Sequence, residues 1–280
     1  APPGSPNKPE REKGVTLSMS LWFYFSDTSR TAAENMAWDE LLFSKAEEIP
    51  GFTCLRFYGW KLPTLSFGRS QRWQRVYDPA ELERIGGEMV RRPTGGKAVL
   101  HWGELTYAVA SSDSRFLENP SVHATYTLLS SALLRGLLHL GLRAEMVGKD
   151  PRGIVKTDLP CFSYPTRDEI GLENLKIIGS AQKRSKLAFL QHGSIPVEDH
   201  RADYARLTRV EPSLLESTMT TLRLSGFKGD DEELRSAFLA GFQEEFSLKA
   251  LPFQPTQDDE KRVLSLAREK YSSPDWNREL

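Results

Sequence analysis

Cysteine is nearly absent: Cys54 and Cys161 are the two in a chain of 280 residues. Two thiols cannot build the disulfide framework of a small secreted domain, and such sparing use points to a reducing, cytoplasmic setting. Neither cysteine stands in a CxxC or beside an HxH pair, so no zinc signature is present and no metal is expected. No apolar run approaches the roughly 20 residues of a membrane-spanning helix, so no membrane partner is expected. An excess of one charge is also missing: Lys and Arg total 37 against 38 for Asp and Glu, leaving −1. Nucleic acid selects for a broad basic face and is therefore not an expected partner. The opening "APPGSPNKPEREKG" lacks the apolar core of a secretory signal. Residues 1–18 are expected to be a disordered leader, with Met19 as a natural start, ahead of one domain over residues 19–280.

What is present fits a globular protein with a sizeable core: 39% apolar and 27% charged residues. "SRTAAENMAWDELLFSKAEE" has helical spacing at Ala33, Met36, Ala37 and Leu41, with Ser29 or Thr31 as cap. "TCLRFYGW" and "LPTLSFG" read as strands. "DPAELERIG" reads as a short helix with Asp78 as cap and Pro79 at its first position. Three further strands, "GEMVRRP", "KAVLHW" and "ELTYAVA", are separated by Pro93-Thr94-Gly95-Gly96 and by Gly103. "SVHATYTLLSSALLRGLLHLGL" is a long helix. Lys176–Gln182 and Leu187–Ile195 form a hairpin. From about residue 200 the chain is mainly helical, and two segments there begin with acidic residues, as a helix dipole favours. Strands in clusters rather than strict alternation point to an α+β layer fold with a mostly antiparallel sheet.

Three stretches can carry chemistry. In "RRPTGGKAVLHW", Gly95 and Gly96 let the backbone bend close to a ligand, and Arg91, Arg92 and Lys97 place positive charge beside the bend. The same pattern also suits a solvated hairpin turn, and no Walker loop is present. In "LKIIGSAQKR", Lys176 opens an apolar strand, and Gly179 and Ser180 leave room for a chain to lie close. A lysine near a reacting carbonyl can stabilise an oxyanion or move a proton. In "DLPCFSYPTRDEI", Cys161 lies in a loop between Pro160 and Pro165 with polar neighbours, unlike Cys54 in its apolar strand. It reads as a nucleophile or as a small loop residue. His101 and His192 end or line strands beside these stretches. There is no GxSxG elbow.

Taken in this order, "AAENMAWDELL", "LRFYGWKLPTLSFGRSQ", "RRPTGGKAVLHWGELTY", "KIIGSAQKR" and "LQHGSI" resemble the lipoate-protein ligase, octanoyltransferase and biotin-ligase superfamily. The resemblance runs from about Trp22 to Pro196 and weakly on to "SSPDWN". It is nearest to the octanoyltransferases of bacteria such as Bacillus, which carry a cysteine in a "CF" dipeptide before the lysine strand, here Cys161-Phe162. The family often has Asp after the motif histidine, where this chain has Trp102. The resemblance implies a biotin/lipoate protein ligase catalytic fold: a central mixed, mostly antiparallel sheet flanked by helices, with a second small sheet.

It also implies an activity. Octanoyl would pass from an acyl carrier protein to a lysine of the glycine cleavage H protein, or another lipoyl domain, in lipoate biosynthesis. Cys161 would be the nucleophile and Lys176 its partner. Arg91, Arg92, Gly95, Gly96, Lys97, His101, Gly179, Ser180, His192 and Gly193 would bind substrate. No cofactor is needed, because thioester exchange is nearly balanced and aminolysis to an amide runs downhill. A neighbouring ammonium such as Lys176 favours the thiolate. Burying the acyl chain contributes about 0.8 kcal/mol per CH₂, and Leu65, Phe67, Val99 and Ile178 are the expected walls. The carrier's acidic surface is expected to meet Arg69, Arg72, Arg75, Lys183, Arg184 and Lys186. The rival readings are an ATP-dependent lipoate-protein ligase and a non-catalytic acyl- or carrier-binding protein.

Overall fold

The structure, a computed structural model, describes residues 21–118, 121–146, 159–163 and 169–278. The expected leader and Pro165 lie outside the described residues.

The chain opens with β1 (Leu21–Ser26), an aromatic-rich strand that sequence reading left unassigned, and α1 (Ala32–Glu48). Thr31 caps α1 in a reciprocal capping box with Glu34. Next come β2 (Phe52–Tyr58), β3 (Thr64–Phe67), α2 (Pro79–Arg84), β4 (Glu88–Arg91), β5 (Val99–His101) and β6 (Glu104–Ser111). After α3 (Ser114–Leu117) and α4 (Val122–His139) follow β7 (Glu145–Met146), β8 (Ile170–Leu172), β9 (Leu175–Arg184) and β10 (Phe189–Pro196). The C-terminal part is α5 (Arg201–Thr208), α6 (Pro212–Glu216), α7 (Asp231–Phe246), β11 (Leu251–Pro252), α8 (Gln257–Leu266) and α9 (Pro274–Asn277).

Eight strands form one sheet in the order β11-β1-β2-β6-β10-β9-β8-β7, and β4-β3-β5 form a small second sheet. The large sheet is antiparallel from β2 to β7, whereas β1 pairs in parallel with both β2 and β11. The α+β class and the second sheet thus agree with the sequence reading.

Strand periodicity explains the layers. On β2, Leu55 and Phe57 join α4 and α7 through Leu129, Leu133, Leu137, Phe238 and Phe242 on one face. Phe52, Cys54 and Tyr58 point the other way, to Met36, Trp38, Leu41 and Leu42 of α1 and Val263 of α8. A third core joins the small sheet to α2, α5 and α6 through Leu65, Phe67, Leu82, Tyr204, Leu207 and Leu215. Phe162 belongs to that third core and is buried there. Its burial contributes about 1.5–3 kcal/mol and fixes the turn that carries Cys161.

Candidate active site

Cys161, Phe162 and Ser163 form one tight helical turn. The Cys161 amide donates to the carbonyl of Ala98, two residues past the glycine bend, and Tyr204 Oη donates to that same carbonyl. The cysteine loop is therefore tied directly to the glycine stretch. Lys176 comes from the edge of β9, and its side chain is fully buried.

The ammonium has three protons, and three acceptors surround it. Nζ donates to the Cys161 carbonyl at 2.8 Å, to Cys161 Sγ at 3.3 Å and to Glu169 Oε1 at 2.5 Å. It also sits 4.7 Å from the centre of the Phe162 ring. Burial alone would push the lysine down. The Cys161 sulfur and the Glu169 carboxylate outweigh it and hold the ammonium above its ordinary value. Glu169 was not among the residues drawn from the sequence. Its signal was there: an acid directly before the apolar strand Ile170–Leu172, in position to meet a lysine at the head of the next strand.

Beside this corner lies a cleft with about 410 Å³ of empty space, part of it open to solvent. Cys161, Arg92, Gly96, His101, Gly179, Ser180, His192 and Gly193 line it. Of the four expected apolar walls, Val99 alone does so. Leu65 and Phe67 point into the small-sheet core and Ile178 into the main core, each one residue out of phase with a cleft residue. Ser66 and Gly179 hold the cleft-facing positions on those strands. The apolar lining comes instead from Met36, Tyr58 and Trp60.

Gly193 lies between β6 and β9, opposite Tyr107 and Ser180. A Cβ there would stand 2.5 Å from the Tyr107 ring and 2.7 Å from the Gly179 carbonyl, so the strands could not close with any side chain. Gly96 takes φ +87°, a conformation that suits glycine.

The remaining basic residues hold the bend rather than standing free. Arg92 donates to Ser66 O, Ser66 Oγ, Gly95 O and Lys97 O. Burial pushes it down from the usual arginine value, and the nearby Cys161 sulfur is the first charge to oppose that. Arg91 does not line the cleft: its guanidinium donates to Gly68 O, Arg69 O, Gln71 O, Trp276 O and Asn277 O. Lys97 is half-buried at the rim of the same bend. Gly95 is exposed on it.

Both cleft histidines are tethered to a carboxylate. His192 Nδ1 is 2.8 Å from Asp39 Oδ2, and Nε2 is 2.6 Å from Thr94 Oγ1. His101 Nδ1 is 2.7 Å from Glu104 Oε1, and Nε2 is 2.8 Å from Ser66 Oγ. The His101 ring stacks on Trp60 at 4.2 Å. Asp39 and Glu104 are further residues that sequence reading missed. Asp39 was findable, since it falls on the apolar face of α1 between Met36 and Leu42. Trp102 stacks flat on His200 at 3.8 Å, outside the main cleft.

Comparison with known proteins places this geometry in context. The model of the lipoyl protein ligase A/B catalytic domain matches residues 31–243. The chain is 36% identical over 272 residues to an octanoyltransferase LipM of Carboxydothermus hydrogenoformans, covering 92% of this chain and 98% of that one. Its fold is similar to a lipoate-protein ligase A solved with ATP (TM-score 0.78, 22% identity, 92% of this chain and 98% of that one). It is also similar to the bipartite lipoate protein ligase of Thermoplasma acidophilum studied with its E2 lipoyl domain (TM-score 0.76, 20% identity, 92% and 96%). The chain belongs to the lipoyl protein ligase A/B catalytic-domain family, alongside the octanoyltransferases of that fold.

Proposed function

We propose that the protein moves octanoyl from an acyl carrier protein to a lysine of the glycine cleavage H protein, or another lipoyl domain, through a thioester on Cys161. It is an acyltransferase of the octanoyltransferase kind, acting in lipoate biosynthesis. The observation that carries the covalent step is the 3.3 Å approach of Lys176 Nζ to Cys161 Sγ at the cleft wall.

In the first half-reaction the Cys161 thiolate attacks the donor's carbonyl carbon. The new C–S bond forms, the bond to the carrier sulfur breaks, and the carrier leaves as a thiol, taking up the one proton that the Cys161 thiol gave up on becoming a thiolate. Lys176, kept as an ammonium by Glu169, has a proton aimed at the sulfur. Once that sulfur is acylated, this proton is free to turn to the carbonyl oxygen as it becomes an oxyanion. In the second half-reaction the acceptor amine attacks, the C–N bond forms, the C–S bond to Cys161 breaks, and the proton lost by the amine ends on the departing Cys161 sulfur, which is restored as the thiol. Lys176 supplies charge and orientation rather than accepting that proton, since its ammonium is already satisfied by three acceptors.

The test is intact-mass analysis after mixing with octanoyl carrier protein, with and without ATP. An octanoyl adduct formed without ATP and absent in Cys161→Ala is the expected result. Labelling of the acceptor from free octanoate that needs ATP and survives in Cys161→Ala would establish the ligase reading instead.

A further inference from the structure

We propose that Arg72, Arg75 and Arg278 form a docking platform for the acidic face of the donor carrier protein; this rests on the donor reading above. The sequence offered six basic residues for that role, and the structure divides them. Arg184 is tied to Thr125 Oγ1 and the Phe116 carbonyl, and Lys183 lies over the Phe43 ring at 4.5 Å. Arg72 instead precedes one tight turn, Trp73–Arg75, and Arg75 ends it; both are exposed. Arg278, just past α9, reaches back over the Trp73 ring at 5.3 Å, and Arg69 packs over Trp276 at 4.5 Å. Arginines and tryptophans from two distant parts of the chain thus alternate on one surface.

The charge of this surface contrasts with that of five other arginines. Arg84, Arg201, Arg206, Arg223 and Arg235 each hold a carboxylate within 3.1 Å. Among the described residues, Arg72, Arg75 and Arg278 have no carboxylate partner. With a net charge of −1 overall, three exposed arginines with no carboxylate partner among the described residues are a local field that attracts an acidic partner.

The platform is also rigid and joined to the site. Arg91 binds the carbonyls of Gly68, Arg69 and Gln71 on one side and those of Trp276 and Asn277 on the other. Trp276 Nε1 returns a bond to the Arg91 carbonyl at 2.8 Å. Gly68 in turn rests on the glycine bend: a Cβ on it would stand 2.0 Å from the Gly96 carbonyl. Gly96 lines the cleft with Cys161. The turn that carries these arginines is therefore connected, through Arg91 and Gly68, to the glycine bend that lines the cleft. The donor fits here better than the acceptor. The donor's thioester arm carries a phosphate, whereas the acceptor presents a lysine ammonium that these arginines repel.

The experiment measures Cys161 acylation by intact mass at varied donor concentration and salt. It compares the wild type with Arg72→Glu/Arg75→Glu, using octanoyl carrier protein and octanoyl-pantetheine, which lacks the protein. The expected result is a half-saturating carrier concentration raised about tenfold, a weakened salt dependence and an unchanged rate with octanoyl-pantetheine. Equal loss with both donors means a damaged site and overturns the platform. Carrier kinetics unchanged in the variant overturn it while leaving the donor reading intact. Loss confined to transfer onto the acceptor assigns the surface to that partner and overturns it as well. Absence of an adduct from the carrier in the wild type defeats the donor reading itself, and the platform with it.

Discussion

Two buried polar clusters reach the cleft, one through Tyr58 and His192 and one through Cys161, and are built differently. Around Arg56, on the central strand β2, every group is occupied. The guanidinium donates to Asp27, Asp39, the Asn35 carbonyl and Asn35 Oδ1, and its carbon lies 3.8 Å from the centre of the Tyr58 ring. Tyr58 and His192 occupy the other Asp39 oxygen. Apart from Asp27, which directly follows β1, these residues stand on α1, β2 and β10. The Cys161 sulfur is hydrogen-bonded by one cation, Lys176, stands on a one-turn loop, and lies at the wall of an open cleft. The first cluster has no reactive atom to offer, and the second offers one. Fully paired charge holds the frame, and on the proposed function the thiol on a short turn, held by one lysine, is where bonds change.

Substitutions can break that contrast. The largest effect is expected at the sulfur. Cys161→Ala should lower acceptor octanoylation by about 10³-fold or more, with the melting temperature within about 2 °C of wild type, because the side chain is small and half-exposed. A large stability loss would mean that Cys161 is a packing residue. The converse is expected at Arg56. Arg56→Met strands Asp27 and Asp39 in the core and should cost about 3–5 kcal/mol in chemical denaturation. Acyl-enzyme formation per folded molecule should change less than in any Cys161 variant. If activity instead fell as far as in Cys161→Ala, the division between frame and chemistry would fail.

Glu169 tests the boundary, since it is buried like the frame yet bonds the reacting corner. Glu169→Gln keeps the shape and removes the charge that helps hold Lys176 as an ammonium. Acylation of Cys161 should slow by about 10–10²-fold, with a smaller stability loss than for Arg56→Met. Stopped intact-mass time courses measure the first and thermal melts the second.

How much of this was legible depends on the length scale of the signal. The strand expected at Lys176–Gln182 and observed at Leu175–Arg184, its hairpin partner and the long helices declare themselves by period and capping within 10–20 residues. Cys161 and Lys176 stood out by local oddity: a thiol without apolar company and a lysine at the head of an apolar strand. Glu169, Asp39 and Glu104 did not, because a carboxylate shows its role only once the fold supplies its partner, and Asp39 meets His192 across 153 positions. The cleft walls were misjudged for a simpler reason. Leu65, Phe67 and Ile178 are the apolar residues of their strands, but the strand faces alternate, and the ligand-facing register is the one with Ser66 and Gly179.

The smallest effect expected is a pH dependence that belongs to the frame. Burial holds His192 below its ordinary value, although Asp39 pulls the other way, so it is neutral in the folded protein at pH 7. In the unfolded chain the same imidazole titrates near 6.5. Unfolding therefore takes up a proton in mild acid. The stability due to this group is complete above about pH 6.5 and is lost as pH falls through the folded value. Melting temperatures from pH 7.5 to 5 should decline more steeply for the wild type than for His192→Gln, which cannot titrate. Because Thr94 carries the other end of His192 into the glycine stretch, the variant should also raise the half-saturating donor concentration a few-fold, with little change in the maximal acylation rate. Equal pH slopes in the two proteins would place His192 outside the acid sensitivity of the frame. A fall in maximal rate instead of a rise in half-saturation would move His192 from the frame to the chemistry.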